Sequence, residues 1–177
     1  MKMSRVWAMP NAETFTIKPI KELLEREVTD GIWVDPFVRN SRFKHLMTYT
    51  NDINPEFEAT HNLEALEFLK LIEDQSVDGV LFDPPYSARQ VKECYNSIGR
   101  PVTQYDTQSP WTAFKKEIAR ILKPNGKVIR FGWNSGGLGK TLGFELNEVL
   151  LVPHGGNHND TIITIETKKG KNESNIL

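Results

Sequence analysis

With a single cysteine, Cys94, the chain can form neither an internal disulfide nor a multi-cysteine zinc site, which suits a reducing compartment. Charge of one sign is not in excess either. The 22 Lys and Arg stand against 23 Asp and Glu, and a net charge of -1 leaves no global field to draw in nucleic acid or an anionic membrane. Any polyanion has to be met by a local patch. No run approaches the ~20 apolar residues of a membrane span, and the N-terminal stretch with Lys2, Arg5, Lys18, Lys21, Glu22 and Glu25 lacks the apolar core of a signal peptide. The expectation is a soluble, cytoplasmic protein. What is present, 177 residues with 38% apolar content and 12 glycines, suits one domain with a real core and excludes a disordered or fibrous chain.

Ile17, Ile20, Leu23, Leu24 and Val28 fall at helical spacing, with Thr16 as N-cap and Pro19 in the first turn, so an amphipathic helix is expected to start the fold. Short apolar strands follow at Ile32 to Val34 and Leu46 to Thr50, and a helical stripe from Leu63 to Ile72 precedes a third strand, Val77 to Phe82. Residues 87–108 are polar and aperiodic and read as a long loop with one helical turn at most. Ser109 and Pro110 open a helix whose face is Trp111, Phe114, Ile118, Ile121 and Leu122, closed by the turn Pro124-Asn125-Gly126. Strands are then expected at Lys127 to Phe131, Phe144 to Val152 and Thr161 to Thr167. The domain is drawn as 1–167, with a substrate loop at about 87–109, and 168–177 as a polar tail. Strands alternating with helices imply an open, mostly parallel α/β sheet with helices on both faces and a closing antiparallel pair. In such sheets ligands sit beyond the carboxyl ends of the strands, where Asp35, Asp52 and Asp83 should converge.

Asp83-Pro84-Pro85-Tyr86, placed directly after a buried strand, is the most informative stretch. An aromatic amine is a poor nucleophile because its lone pair is delocalised, so a site that methylates it must accept its hydrogens as the nitrogen rehybridises. Asp83 can accept one, and the Pro84 carbonyl, beside the donor-free Pro85, a second. Tyr86 offers a face on which an extruded base can stack. This motif resembles that of the S-adenosylmethionine-dependent DNA adenine-N6 (amino) methyltransferases, in the short form of phages and mobile elements that lacks a separate target-recognition domain. The resemblance covers about residues 11 to 167. It implies a Rossmann-like class I methyltransferase fold with a seven-stranded sheet, S-adenosyl-L-methionine as cofactor, and DNA with a flipped adenine as substrate.

Further segments resemble the same family in order. Thr16-Ile17-Lys18-Pro19 looks like its Thr-x-Lys-Pro cofactor segment, and Asp35-Pro36-Phe37 like the strand end before its cofactor loop. There the family carries glycine and this chain reads Val38-Arg39-Asn40-Ser41, so the loop either follows another path or binds weakly. Asp52 lies 17 residues after Asp35, near the spacing at which an acidic residue meets ribose hydroxyls, with Ile53 packing on adenine; alone, it also reads as an Asp turn before proline. Glu64 matches the residue that accepts from the adenine amino group, and reads equally as a solvated helix-start glutamate. Trp133 can wall the target pocket or sit in the core.

Arg89, Lys92 and Arg100, just past the motif, are positioned to reach phosphates flanking an extruded base. His154 and His158 lie on a glycine-bearing turn without the fixed helical face of a zinc site, so no metal is expected. Gly136, Gly137 and Gly139 before Lys140-Thr141 lack the spacing of a phosphate loop, and Cys94 has no adjacent base to make it a nucleophile. The resemblance implies adenine rather than cytosine, since the cytosine-N4 enzymes usually carry Ser where this chain has Asp83. The alternatives are methylation of RNA or another amino group, and a catalytically silent nucleic-acid-binding subunit. With no room for a recognition domain, either residues 87–108 read a very short site or a second copy or partner subunit supplies the contacts.

Overall fold

The computed structural model describes residues 1–102 and 111–170. Seven strands form one sheet: β1 (Lys2–Arg5), β2 (Trp33–Asp35), β3 (Tyr49–Thr50), β4 (Val77–Phe82), β5 (Leu122–Gly132), β6 (Phe144–Val152) and β7 (Thr161–Lys168), in the order β1-β6-β7-β5-β4-β2-β3. β7 is antiparallel to both β5 and β6, and the other neighbours pair in parallel. The helices are α1 (Lys18–Glu27), α2 (Ala65–Leu71), α3 (Ala88–Ser97) and, from the residue after the undescribed stretch, α4 (Trp111–Ile121). Among these residues no helix is long and apolar enough to cross a membrane.

Period-two alternation divides the core between the two faces. Trp33, Leu81, Ile129 and Phe131 point to one face, where they meet Ile20, Leu23 and Leu24 of α1. Val34, Val80, Phe82 and Val128 point to the other, against Phe68 and Leu69 of α2 and Phe114 and Ile118 of α4. Gly79 is the tightest joint. It pairs in register with Trp33, and a Cβ there would lie 2.4 Å from the indole ring. Gly79→Ala is therefore expected to destabilise the fold by about 1–3 kcal/mol, read as a lower urea midpoint; an unchanged midpoint would mean the indole can move aside.

The architecture agrees with the sequence expectation, and several local readings need correction. The fold starts with β1, not with α1: Lys-Met-Ser-Arg has no apolar alternation because it is an edge strand, held by parallel pairing to β6. Thr16 does not cap α1. Its hydroxyl donates to the Glu13 carbonyl at 2.8 Å, and the backbone at Ile17 forms the cap without a side chain. The strand expected at Leu46 to Thr50 shrinks to Tyr49–Thr50, since Arg42–Leu46 form a 3-10 turn that buries Phe43. β5 begins at Leu122, with the Pro124-Asn125-Gly126 turn bulging out of it between Leu122, opposite Val77, and Lys127, opposite Gly79.

The largest correction is α3. Within the expected loop 87–108, Ser87 accepts from Gln90 N while the Gln90 side chain accepts from Ser87 N, a capping box that starts a ten-residue helix, and residues 103–108 lie outside the described residues. Ser109 and Pro110, the expected cap of α4, lie outside the described residues, as does most of the polar tail.

Candidate active site

The chain runs from β2 outward to β3 and then returns to the other side of β2 as β4. The carboxyl ends of β2 and β4 therefore flank the crevice at which sheets of this type bind ligands. Asp35 ends β2, Asp83 follows β4, and Asp52 lies two residues past β3. The three carboxylates do converge. Asp35 is fully buried, its Oδ1 accepts from Phe37 N at 2.9 Å, and its Oδ2 has no partner among the described residues. Burial, then the neighbouring charges of Asp83 and Asp52, push its carboxyl up to about 8. Asp83 is pushed up to about 7 by burial, opposed by the positive field of Arg39.

Loop 36–43 is built around this crevice. Arg39 has φ 46, the left-handed conformation that favours glycine, so the chain keeps such a turn without a glycine. Arg39 N donates to Asp52 Oδ2 at 3.1 Å and Asn54 N to Oδ1 at 2.9 Å, so Asp52 fastens the loops after β2 and β3 together. Burial raises the Asp52 carboxyl as well. Pro36 is buried, and the Phe37 ring leaves the crevice to pack on Phe82 and Phe114 at 5.9 and 5.8 Å. The Thr16-Ile17-Lys18-Pro19 segment is brought to the far end of the same loop: Phe15 lies against Phe43, and Glu13 accepts from Arg42 N at 3.0 Å. Lys18 is exposed and Ile53 half-buried.

α3 lies against the loop after β3. Asn54 Nδ2 is 3.5 Å from Ser97 Oγ, the Tyr95 hydroxyl donates to Glu64 Oε2 at 2.8 Å, and Arg100 pairs with the other Glu64 oxygen while lying over the Tyr95 ring. Glu64 and Arg100, expected to meet adenine and phosphate, are thus brought to each other. Arg89 and Lys92 occupy an exposed stripe of the helix, where Arg89 pairs with Glu93 at 2.8 Å. Burial pushes the Cys94 thiol up, away from a nucleophilic thiolate.

Tyr86, the last residue of the Asp83-Pro84-Pro85-Tyr86 turn, borders a second space. The Tyr86 hydroxyl donates to Asp83 Oδ1, a contact that residue order alone did not suggest. The Tyr86 ring is 5.7 Å from that of Trp133, which is 44% exposed and so no core residue. Tyr86, Trp111, Lys115, Arg130, Trp133, Asn134 and Gly136 line a cleft of about 270 Å³. Arg130 was missed in the sequence, although an arginine inside Val128-Ile129-Arg130-Phe131 is the kind of residue a buried strand carries for a reason.

The glycine turn 136–139 wraps an internal anion. Leu138 N and Gly139 N donate to the buried Glu166 carboxylate at 2.6 and 3.0 Å, and a Cβ on Gly137 would lie 2.1 Å from it. His154 is buried at the end of β6, its ring nitrogens 2.9 Å from the Ala8 carbonyl and 2.8 Å from Thr161 Oγ1. Among the described residues no group of three or more His, Cys, Asp or Glu could hold a metal.

No family model and no curated protein matches the chain. Solved structures do. The 1,6-didemethyltoxoflavin-N1-methyltransferase of Burkholderia thailandensis, solved with bound 1,6-didemethyltoxoflavin and S-adenosylhomocysteine, superposes with a TM-score of 0.54 at 12% identity, over 85% of this chain and 76% of that one. TrmN of Thermus thermophilus gives 0.56 at 15%, over 86% of this chain and 49% of that one. The putative methyltransferase yhhF of Escherichia coli gives 0.53 at 11%, over 92% and 91%. At these identities the likeness is one of fold, and the chain has the Rossmann-like fold of the class I methyltransferases.

Proposed function

We propose that this protein transfers a methyl group from S-adenosyl-L-methionine to the N6 amino group of adenine in DNA. The observation that carries the reading is the position of Asp83-Pro84-Pro85-Tyr86 at the switch point of the sheet, with the acidic crevice on one side and the aromatic cleft on the other. The crevice fits the cofactor. Asp35 has an oxygen without a partner among the described residues, and Asp52 retains lone pairs for ribose hydroxyls after its two backbone bonds. Asp35, Pro36, Asp52 and Ile53 would hold it, with Thr16, Lys18 and Pro19 at the far end of the loop after β2, whereas Phe37 packs on Phe82 and Phe114 and Glu64 is engaged by Tyr95 and Arg100. When bound, it supplies an electrophilic methyl group.

Asp83 and the Pro84 carbonyl accept the two amine hydrogens, which frees the nitrogen lone pair to attack. The N–C bond forms as the S–C bond breaks, and one amine proton leaves through the Asp83 carboxylate. Asp83 acts as an acceptor when ionised, so turnover should rise with pH through about 7. Tyr86 has two tasks, a face for the base and a hydroxyl that favours ionised Asp83. Tyr86→Phe is expected to keep most of the turnover at high pH and to move the limb of the pH profile upward. A limb that does not move would confine Tyr86 to stacking. Tyr86→Ala loses both tasks and should weaken base capture.

Lys92 and Arg89, the latter from an exposed pair with Glu93, meet flanking phosphates in this reading, whereas Arg100 is held by both Glu64 and the Tyr95 ring. Changing Lys92 and Arg89 to Ala should lower the salt slope of DNA binding by about one unit per lost contact without altering cofactor affinity. Parallel salt titrations at equal affinity would remove α3 from the interface. The reading itself is tested by incubating purified protein with methyl-labelled S-adenosylmethionine and, separately, unmethylated duplex DNA, RNA and protein. Label in DNA, recovered after digestion as N6-methyladenine, supports it. Label in RNA or protein, or cofactor-independent DNA binding without label, points to the alternatives.

A further inference from the structure

In the cleft beside Tyr86, a charge is buried without its full set of partners. Arg130 is 5% exposed, and its Nε has no acceptor among the described residues. Its Nη1 is held by Asn134, 3.1 Å from the carbonyl and 3.4 Å from Oδ1, and the guanidinium faces the Trp111 ring at 5.7 Å. A Cβ at residue 132 would lie 3.1 Å from Nη2, so Gly132 leaves room for the side chain. Glu166 on β7 offers a compensating field and accepts from Leu138 N and Gly139 N, but makes no hydrogen bond to the guanidinium among the described residues. A buried guanidinium left short of acceptors is costly and calls for an explanation, which a ligand completing its hydrogen bonds would supply. Lys115 of α4 lines the same cleft and has no ion-pair partner among the described residues. Two cations and three aromatic rings in one cleft match an anionic aromatic ligand, and among the described residues no carboxylate lines it.

We infer that Arg130 and Lys115 form an anion subsite that takes a phosphate group of the nucleotide whose base is placed at Tyr86 and Trp133. The inference rests on the proposed reading for the identity of that base. Its binding test does not depend on methyl transfer. A planar guanidinium suits phosphate oxygens as a fork, and the ammonium of Lys115 adds a point charge from the adjoining helix. Substrate selection is thereby tied to a nucleotide rather than to a free base or nucleoside. The subsite also places positive charge where a chain of net charge -1 needs it.

The test compares adenosine, adenosine 5′-monophosphate and inorganic phosphate as ligands of the purified protein, by calorimetry and by the indole proton signals of Trp111 and Trp133. The monophosphate should bind at least tenfold more tightly than adenosine. Lys115→Glu, at a half-buried position of α4, should abolish most of that difference with S-adenosylmethionine affinity unchanged. Arg130→Lys, where it folds, should do the same by losing the fork. Inorganic phosphate, with no base for the rings, should bind at least tenfold more weakly than the monophosphate. Equal affinities for adenosine and its monophosphate, or a Lys115→Glu protein that keeps the preference, would overturn the subsite. Phosphate binding as tightly as the monophosphate would make it a free-phosphate site and overturn the nucleotide assignment. A preserved monophosphate preference in a protein that fails to label DNA would contradict the catalytic reading and leave the subsite standing.

Discussion

Asp83→Ala is expected to lower methyl transfer by about 10²-fold or more, with affinity for S-adenosylmethionine within a few-fold of wild type. The size of the effect follows from the chemistry of the amine. Its lone pair becomes available only as its hydrogens are accepted, and Asp83, at the end of β4 and beside the Tyr86 hydroxyl, is the carboxylate placed to accept one. The interaction strengthens towards the transition state, so its loss should appear in kcat more than in KM. Single-turnover rates on an unmethylated duplex, together with cofactor titrations, give both quantities. A variant with near-native turnover would remove Asp83 from the role of amine acceptor.

Asp52→Ala should act on the other side of the crevice and weaken S-adenosylmethionine binding by more than tenfold. Charged hydrogen bonds contribute about 1.5–3 kcal/mol each, and ten-fold corresponds to about 1.4 kcal/mol. The structure adds a second source of loss, because Asp52 also fixes Arg39 N and Asn54 N and so holds the two cofactor loops in place. Asp52→Asn keeps one acceptor oxygen for that task and should lose less than Ala. Calorimetric titration of both variants separates the two contributions. Unchanged binding in Ala would move the ribose to another carboxylate, with Glu56 next, since Glu64 already accepts from Tyr95 and pairs with Arg100.

Where burial and periodicity coincide, the sequence was a good guide. Val77–Phe82 and Phe144–Val152 have the expected ends because their apolar residues lie in a covered sheet and nothing else competes for them. β1 was illegible because an edge strand with exposed Lys2 and Met3 has no pattern to show and exists through its pairing to β6. α3 was illegible for a different reason. Val91 is its one buried residue, and the helix is stabilised by the Ser87–Gln90 capping box and the Arg89–Glu93 pair instead of an apolar stripe.

The site divides in the same way. The convergence of Asp35, Asp52 and Asp83 was readable from their places at strand ends. The left-handed turn at Arg39, the Tyr86 to Asp83 bond and the buried Arg130 come from tertiary packing, which motif order does not encode.

The central claim, that the Asp83 site methylates adenine in DNA, is tested most directly by sequencing genomic DNA for N6-methyladenine from cells that lack other adenine methylation and express either the wild type or the Asp83→Ala variant. The account expects N6-methyladenine at a short recurrent sequence with the wild type and background levels with the variant. Unmodified DNA from wild-type cells that contain folded, S-adenosylmethionine-binding protein would contradict it, as would equal modification by the two proteins.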